Sequence, residues 1–189
     1  NNLVKDFYNN NPYPSFSRFA DVQLPVHLFE KACDLAKKPV PTSPSILIVG
    51  CGTVAACAIA KAYPEASNIT AVDISQKTIE VAQKKTPYNI RDRIHWVNAD
   101  IADPNIFECL PINKYDWIHC TGVLHHLEEP ELGIANISKL LSDNGVIRFQ
   151  LYSKGGRQLI EWARAVFMLK EAKSNDDIIN ILLALSKFH

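Results

Sequence analysis

The chain carries no excess charge of either sign: Lys plus Arg number 20, and so do Asp plus Glu. That balance removes the long-range attraction that draws a basic chain onto a nucleic-acid backbone. The basic residues are also scattered, so nothing favours a nucleic-acid partner. No apolar run reaches about 18 residues, the least a membrane-spanning helix needs, and no signal-peptide pattern is present. The five cysteines are odd in number and lack the paired spacing of a disulfide framework. Two of them, Cys57 and Cys120, fall in segments expected to be buried, so a reducing, cytoplasmic setting is expected. The chain opens on Asn1 rather than Met and stops at His189 inside a helical pattern, so a fragment of a longer protein is expected. No internal repeat is evident.

What is present is a core-forming sequence of 189 residues, 47% hydrophobic and 21% charged, enough for one globular domain. Its organising stretch is residues 46–73. Ile46, Leu47, Ile48 and Val49 form a continuous apolar run that suits a strand buried on both faces. Gly50-Cys51-Gly52 turns sharply, Thr53 is placed to cap a helix over 54–63, and Pro64 stops that helix. Ile69 to Val72 is a second strand, with Asp73 at its carboxyl end. A helix N-terminus and bare turn N–H groups favour an anionic group, while a strand-end carboxylate can accept hydrogen bonds from a ribose diol. One crossover separates the turn from the acid, and together they predict a nucleoside site at a parallel-sheet edge.

The rest of the chain alternates in the same manner. Residues 1–20 are rich in turns and aromatics: Phe7, Tyr8, Tyr13, Phe16 and Phe19 lie among Asn and Pro. They read either as a cover for the core or as a lid, with Tyr8 or Tyr13 offering a hydroxyl. Leu3 to Tyr8 suits a short helix. A helix over 25–38 carries Leu28, Phe29, Ala32, Cys33, Leu35 and Ala36 on its apolar stripe. Ser75 caps a helix whose apolar face is Ile79, Val81 and Ala82. Residues 94–97 and 115–120 are the third and fourth strands. A helix then follows Pro130, with Leu132, Ile134, Ile137, Leu140 and Leu141 expected on its apolar face. Ser142 to Gly145 reads as a tight turn, and 146–152 as a fifth strand. Helices are expected over 157–170 and 176–188. The pattern predicts an α/β fold with a doubly wound parallel sheet, its ligand crevice over the strand carboxyl ends. The expected divisions are a cap over 1–45, a core over 46–155 and C-terminal helices over 156–189.

With these motifs in hand, the sequence resembles the class I S-adenosylmethionine-dependent methyltransferases. VGCGT is similar to their glycine-rich first motif, AVDIS to the acidic end of the second strand, and NADI to the segment after the third. YDWIHCTGVLHHLEEP resembles the fourth-strand motif, and Ser-Asp-Asn-Gly the turn before the fifth strand. The likeness covers about residues 40–155 and is closest to a bacterial subgroup often fused to other domains. It implies a Rossmann-like sheet of order 3-2-1-4-5. It differs at Ile48, where an acid is common, and at Val54, where a third glycine is common. The family's C-terminal antiparallel hairpin is not evident after residue 155.

The resemblance implies S-adenosylmethionine as cofactor and a methyl acceptor expected to be a small molecule. It places Gly50, Cys51, Gly52 and Thr53 near the methionyl group, Asp73 on the ribose hydroxyls and Ile74 against the adenine. Asp100 and the Ile101 backbone fall at the adenine amino group, and Thr121 and Gly122 on the floor by the sulfonium. Tyr8 and Tyr13 belong to the same set through the lid. His125 and His126 are the candidate general bases, needed only if the acceptor must lose a proton. Gln150, Tyr152 and Arg157 are candidates to face the acceptor. His119, Cys120, His125 and His126 are no zinc set, because strand neighbours face opposite sides and there is no second cysteine pair. Two other functions fit parts of the pattern: a non-catalytic S-adenosylmethionine-binding module of a larger protein, and a nicotinamide-dependent oxidoreductase.

Overall fold

The computed structural model describes residues 2–15, 27–153, 155–157 and 174–185. The five strands are β1 (Ser45–Val49), β2 (Asn68–Asp73), β3 (Ile94–Asn98), β4 (Tyr115–Thr121) and β5 (Leu141–Gln150). They form one sheet in the order β3-β2-β1-β4-β5. Every pairing is parallel. The order expected from the resemblance is therefore the order found. β1 lies at the centre, which is why its apolar run is continuous: Ile46, Leu47, Ile48 and Val49 are all buried.

Alternate β1 side chains feed two cores. Ile46 and Ile48 pack with Trp117, Phe29, Ile59 and Ala60 on one face. Leu47 and Val49 pack with Ile118, Ile106, Ile137 and Leu140 on the other. The helices that cover these faces are α1 (Asn2–Asn10), α2 (Leu28–Ala36), α3 (Ala55–Ala62), α4 (Gln76–Lys85), α5 (Tyr88–Arg91), α6 (Ile106–Cys109) and α7 (Pro130–Leu140), and a further helix, α8, spans Asn175–Leu185. Asp116 ties the amino ends of three strands together. One of its carboxylate oxygens accepts from the Ser45 N–H and hydroxyl, both at 2.9 Å, and the other accepts from Ser142 Oγ at 3.0 Å.

Several local expectations need correction. Thr53 does not cap α3: Val54 occupies the cap position and no side chain closes the helix start. Ser75 does cap α4, accepting from the Thr78 N–H at 3.0 Å. On α7, Leu132 and Ile134 are 45% and 49% exposed, and the buried face is Gly133, Asn136, Ile137 and Leu140. The helix is rotated from its apolar count because Asn136 is drawn inward, donating to the carbonyls of Ile101 and Asp103 at 2.8 and 3.0 Å. Leu35, expected on the α2 stripe, is 85% exposed. β5 starts at Leu141 rather than after Gly145 and ends at Gln150 rather than at Tyr152; a register irregularity opposite Tyr115 and Trp117 absorbs the Ser142–Gly145 stretch into the strand. Phe16, Phe19 and nearly all of the expected helix over 157–170 lie outside the described residues.

The chain divides into two compact units, Asn1–Leu151 and Tyr152–His189. The first contains the whole sheet and the N-terminal helix. Among the described residues of the second are a 3₁₀ turn, Gly155–Arg157, and α8. Tyr152 and Arg157, expected near the acceptor, belong to this second unit.

Candidate functional site

Over the carboxyl end of the sheet, the strand ends are held together by hydrogen bonds. Gly50 and Gly52 both adopt positive φ, 63° and 54°, which bends the chain back between β1 and α3. The bend brings the Gly52 N–H to Asp73 Oδ2 at 3.0 Å, while Asp73 Oδ1 accepts from the Ser75 N–H at 3.0 Å. Asp73 is buried, and burial pushes its carboxyl above the usual range, against the pull of those two N–H bonds. Each carboxylate oxygen accepts one of these hydrogen bonds and retains capacity for another. The end of β3 is tied to the same place: Asn98 Nδ2 donates to the carbonyls of Asp73 and Ile74 at 2.9 and 3.0 Å. Asp100 is half-buried, and its Oδ1 accepts from the Ala102 N–H at 2.9 Å. Ile74 is half-exposed, whereas Ile101 is buried in the core and its carbonyl accepts from Asn136 Nδ2 at 2.8 Å.

The turn's N–H groups are not bare, contrary to expectation. Cys51 donates to the Val72 carbonyl at 3.0 Å, Gly52 to Asp73, and Thr53 to the Tyr13 carbonyl at 3.1 Å. The Thr53 hydroxyl donates to the Pro14 carbonyl. Thr53 is thus the anchor for the N-terminal segment, which explains why it is not a cap. The space over the glycines is also taken by the chain itself. A Cβ at Gly50 would lie 2.2 Å from Val123 Cγ2, and one at Gly52 would lie 2.8 Å from the Tyr13 carbonyl oxygen. Gly122, at φ 73°, is different: a Cβ there would meet nothing within 4 Å. Open space therefore lies beside the end of β4, where Thr121 pairs in register with Gln150.

The N-terminal segment lies across three strand ends. Its Tyr13 and Pro14 carbonyls sit on Thr53. Asn9 Oδ1 accepts from Ser75 Oγ at 2.8 Å, and the Tyr8 hydroxyl lies 3.5 Å from His126 Nε2. The Tyr13 ring is 68% exposed, so it is that residue's backbone, not its hydroxyl, that is engaged. After β4, the 3₁₀ turn Leu124–His126 carries the paired imidazoles, whose ring centroids are 4.2 Å apart. The two differ in access. Both His125 ring nitrogens are enclosed, while His126 is exposed.

Sequence reasoning missed His119, which it weighed only as a metal ligand. It is 2% exposed on β4, with Nε2 3.3 Å from Thr121 Oγ1. Burial, helped by the Arg148 charge, pushes its imidazole down to about 4. The available signal was a polar residue at an inward position of an otherwise apolar strand. Among the described residues no cluster of three or more His, Cys, Asp or Glu could hold a metal ion. No described helix is long and apolar enough to cross a membrane.

A sheet of this order, with a glycine bend hydrogen-bonded to the acid ending the next strand, defines a doubly wound α/β domain of the kind whose ligands bind over the strand carboxyl ends. A methyltransferase-domain family model matches residues 47–147, more than half the chain, and the chain belongs to that family. It is 36% identical over 136 residues to an uncharacterised protein of Synechococcus, covering 71% of this chain and 31% of that protein. It is 31% identical over 140 residues to a malonyl-[acyl-carrier protein] O-methyltransferase of Anoxybacillus flavithermus, covering 73% of this chain and 48% of that enzyme. The chain therefore spans less than half the length of these relatives. In fold it is similar to Rickettsia typhi PKMT2 in complex with AdoHcy, with a TM-score of 0.70, 22% identity, and coverage of 93% of this chain and 34% of that one. The domain is thus of the S-adenosylmethionine-dependent type. The likenesses favour neither the oxidoreductase nor the non-catalytic module.

Proposed function

We propose that this protein transfers the methyl group of S-adenosylmethionine to a small-molecule acceptor, and that the two meet over the ends of β1, β2 and β4. The observation that carries the reading is the Gly52–Asp73 hydrogen bond, which puts a buried carboxylate directly beside the glycine bend. In this reading Asp73 accepts from the ribose hydroxyls, Ile74 covers one side of the adenine, and Asp100 with the Ile101 backbone meets its amino edge. Gly50, Cys51, Gly52 and Thr53 shape the methionyl end, with Tyr8 and Tyr13 closing over it as part of the N-terminal segment. When bound, the cofactor supplies an electrophilic methyl group on a sulfur that leaves readily. The chain's own task is then alignment more than activation.

Thr121 and Gly122 form the floor on the open side, with Gln150 beside them for the acceptor. Of the two candidate bases, His126 suits proton removal better. It is exposed and can pass a proton on to solvent, and the Tyr8 hydroxyl lies near its Nε2. His125, with enclosed ring nitrogens, supports the turn that presents His126. The named relative that methylates a malonyl group supports an oxygen acceptor as the first class to try. The test is transfer of label from methyl-labelled S-adenosylmethionine to a panel of carboxylates, phenols and amines. Label should appear on a small molecule, and His126→Phe should slow transfer at least tenfold without weakening S-adenosylhomocysteine binding. Label confined to nucleic acid or to protein side chains, as opposed to a free or carrier-borne small acyl group, would overturn the acceptor assignment.

A further inference from the structure

An amino-acid carboxylate in this crevice needs hydrogen-bond donors, and the glycine turn has few to offer. The N–H groups of Cys51, Gly52 and Thr53 and the Thr53 hydroxyl are all engaged within the chain. One strand across, Thr121 holds the corresponding level: Val49 pairs with Cys120, so the next residue of β4 stands beside Gly50. Thr121 is half-buried, and the residue after it faces open space.

His119 decides what the Thr121 hydroxyl can do. Its Nε2 is 3.3 Å from Thr121 Oγ1, and its Nδ1 is buried with no hydrogen-bond partner. Burial and the neighbouring Arg148 keep the ring neutral at physiological pH, so only one nitrogen carries a proton. A buried N–H without an acceptor is rarer than a buried lone pair without a donor. The proton therefore belongs on Nε2, which donates to Thr121 Oγ1. With its oxygen held that way, the Thr121 hydroxyl hydrogen is directed elsewhere, and the neighbouring Gly122 borders open space.

We propose that the Thr121 hydroxyl donates the hydrogen bond that receives the amino-acid carboxylate of S-adenosylmethionine, and that His119 is the positioning residue that turns that hydroxyl outward. This rests on the reading of the crevice as the cofactor site. It differs from the sequence expectation for Thr121, which placed it by the sulfonium. It also explains a polar side chain on a strand face that otherwise packs Ile46, Ile48 and Trp117.

The test compares two ligands that share the nucleoside and the thioether, only one of which has the amino-acid group. S-adenosylhomocysteine and 5′-methylthioadenosine are titrated calorimetrically into wild type, Thr121→Val, His119→Phe, the double variant and His119→Gln. Thr121→Val and His119→Phe should each weaken S-adenosylhomocysteine binding about tenfold, the loss of one hydrogen bond to a charged group. Methylthioadenosine affinity should stay within about twofold. The double variant should be no weaker than Thr121→Val, since both substitutions break one chain of contacts. His119→Gln, whose amide can still donate from the same place, should recover most of the affinity. Equal losses for both ligands would show a merely structural role and overturn the proposal, as would unchanged S-adenosylhomocysteine binding in Thr121→Val. Wild-type protein that binds neither ligand would overturn the cofactor reading itself, and this proposal with it. Thr121→Val, nearly isosteric at a half-buried position, keeps the test decisive if His119→Phe fails to fold.

Discussion

Asp73 holds two turns together with the same two oxygens that the proposed function offers to the ribose. Replacing it by Ala leaves the Gly52 and Ser75 N–H groups without their acceptor, a loss of about 1–3 kcal/mol of stability for each donor that stays buried. The same change should weaken S-adenosylhomocysteine binding at least tenfold, about 1.4 kcal/mol. Calorimetry and denaturant melts separate the two effects, and unchanged affinity in a folded variant would remove Asp73 from the ribose. His119 makes a second prediction, on pH. Its imidazole sits at about 4 in the folded chain against an ordinary 6.5. The unfolded chain therefore binds the proton more readily, so protonation favours unfolding. Stability is fully present above about 6.5 and falls as pH drops towards about 4, by about 3 kcal/mol at most. Denaturant midpoints at pH 7 and pH 5 should differ more in wild type than in His119→Phe; equal slopes would refute it. Asp73 was legible in the sequence because it ends an apolar run at one crossover from the glycines. His119 was not, because alternation along a strand marks which face a residue takes but not whether its ring nitrogens find partners.

At the scale of elements, α1 and the bend after it act as a strap. They are fastened at Ser75, Thr53 and His126, on three separate strand ends. Loosening two fastenings, with Asn9→Ala and Thr53→Val, should speed proteolytic cleavage within residues 2–15. It should also raise the dissociation rate of S-adenosylhomocysteine several-fold with a smaller change at equilibrium, because a lid governs exit more than contact. Stopped-flow release with unchanged rates would show that the strap does not gate the crevice. The sequence suggested that these aromatics pack on something, yet Phe7 and Tyr13 are 59% and 68% exposed, and Phe16 and Phe19 lie outside the described residues. It did not indicate that the backbone carbonyls of Tyr13 and Pro14 do the fastening. Backbone partners leave no trace in side-chain pattern. The α7 error has a related cause: counting apolar residues misplaced a face that one buried amide, Asn136, sets instead.

For the molecule as a whole, the strand order came from the resemblance, while the residues themselves showed a parallel sheet and, in the continuous apolar run of β1, a strand buried on both faces. The start of β5 was not legible, because its Ser-Asp-Asn-Gly stretch looks like a turn and bulges between Leu141, which pairs with Tyr115, and Val146, which pairs with Trp117. Ligand binding to the intact chain gives the broadest check. S-adenosylhomocysteine at 100 times its Kd should stabilise the protein by about 2.7 kcal/mol, while NAD at the same concentration should leave the melting temperature unmoved. A shift with NAD alone would reverse the assignment.

Gly50 and Val123 meet where a single methyl group decides the fit. The valine fills the volume that any side chain at 50 would claim, and the backbone there is already left-handed. Evolution can trim position 123 to a smaller residue without penalty at 50, but cannot enlarge 50 without first vacating 123. Across homologous sequences the two should drift as a pair, with glycine the slower to change. Alanine at 50 should cost less in a background where 123 has already shrunk, the left-handed backbone still leaving it less stable than glycine.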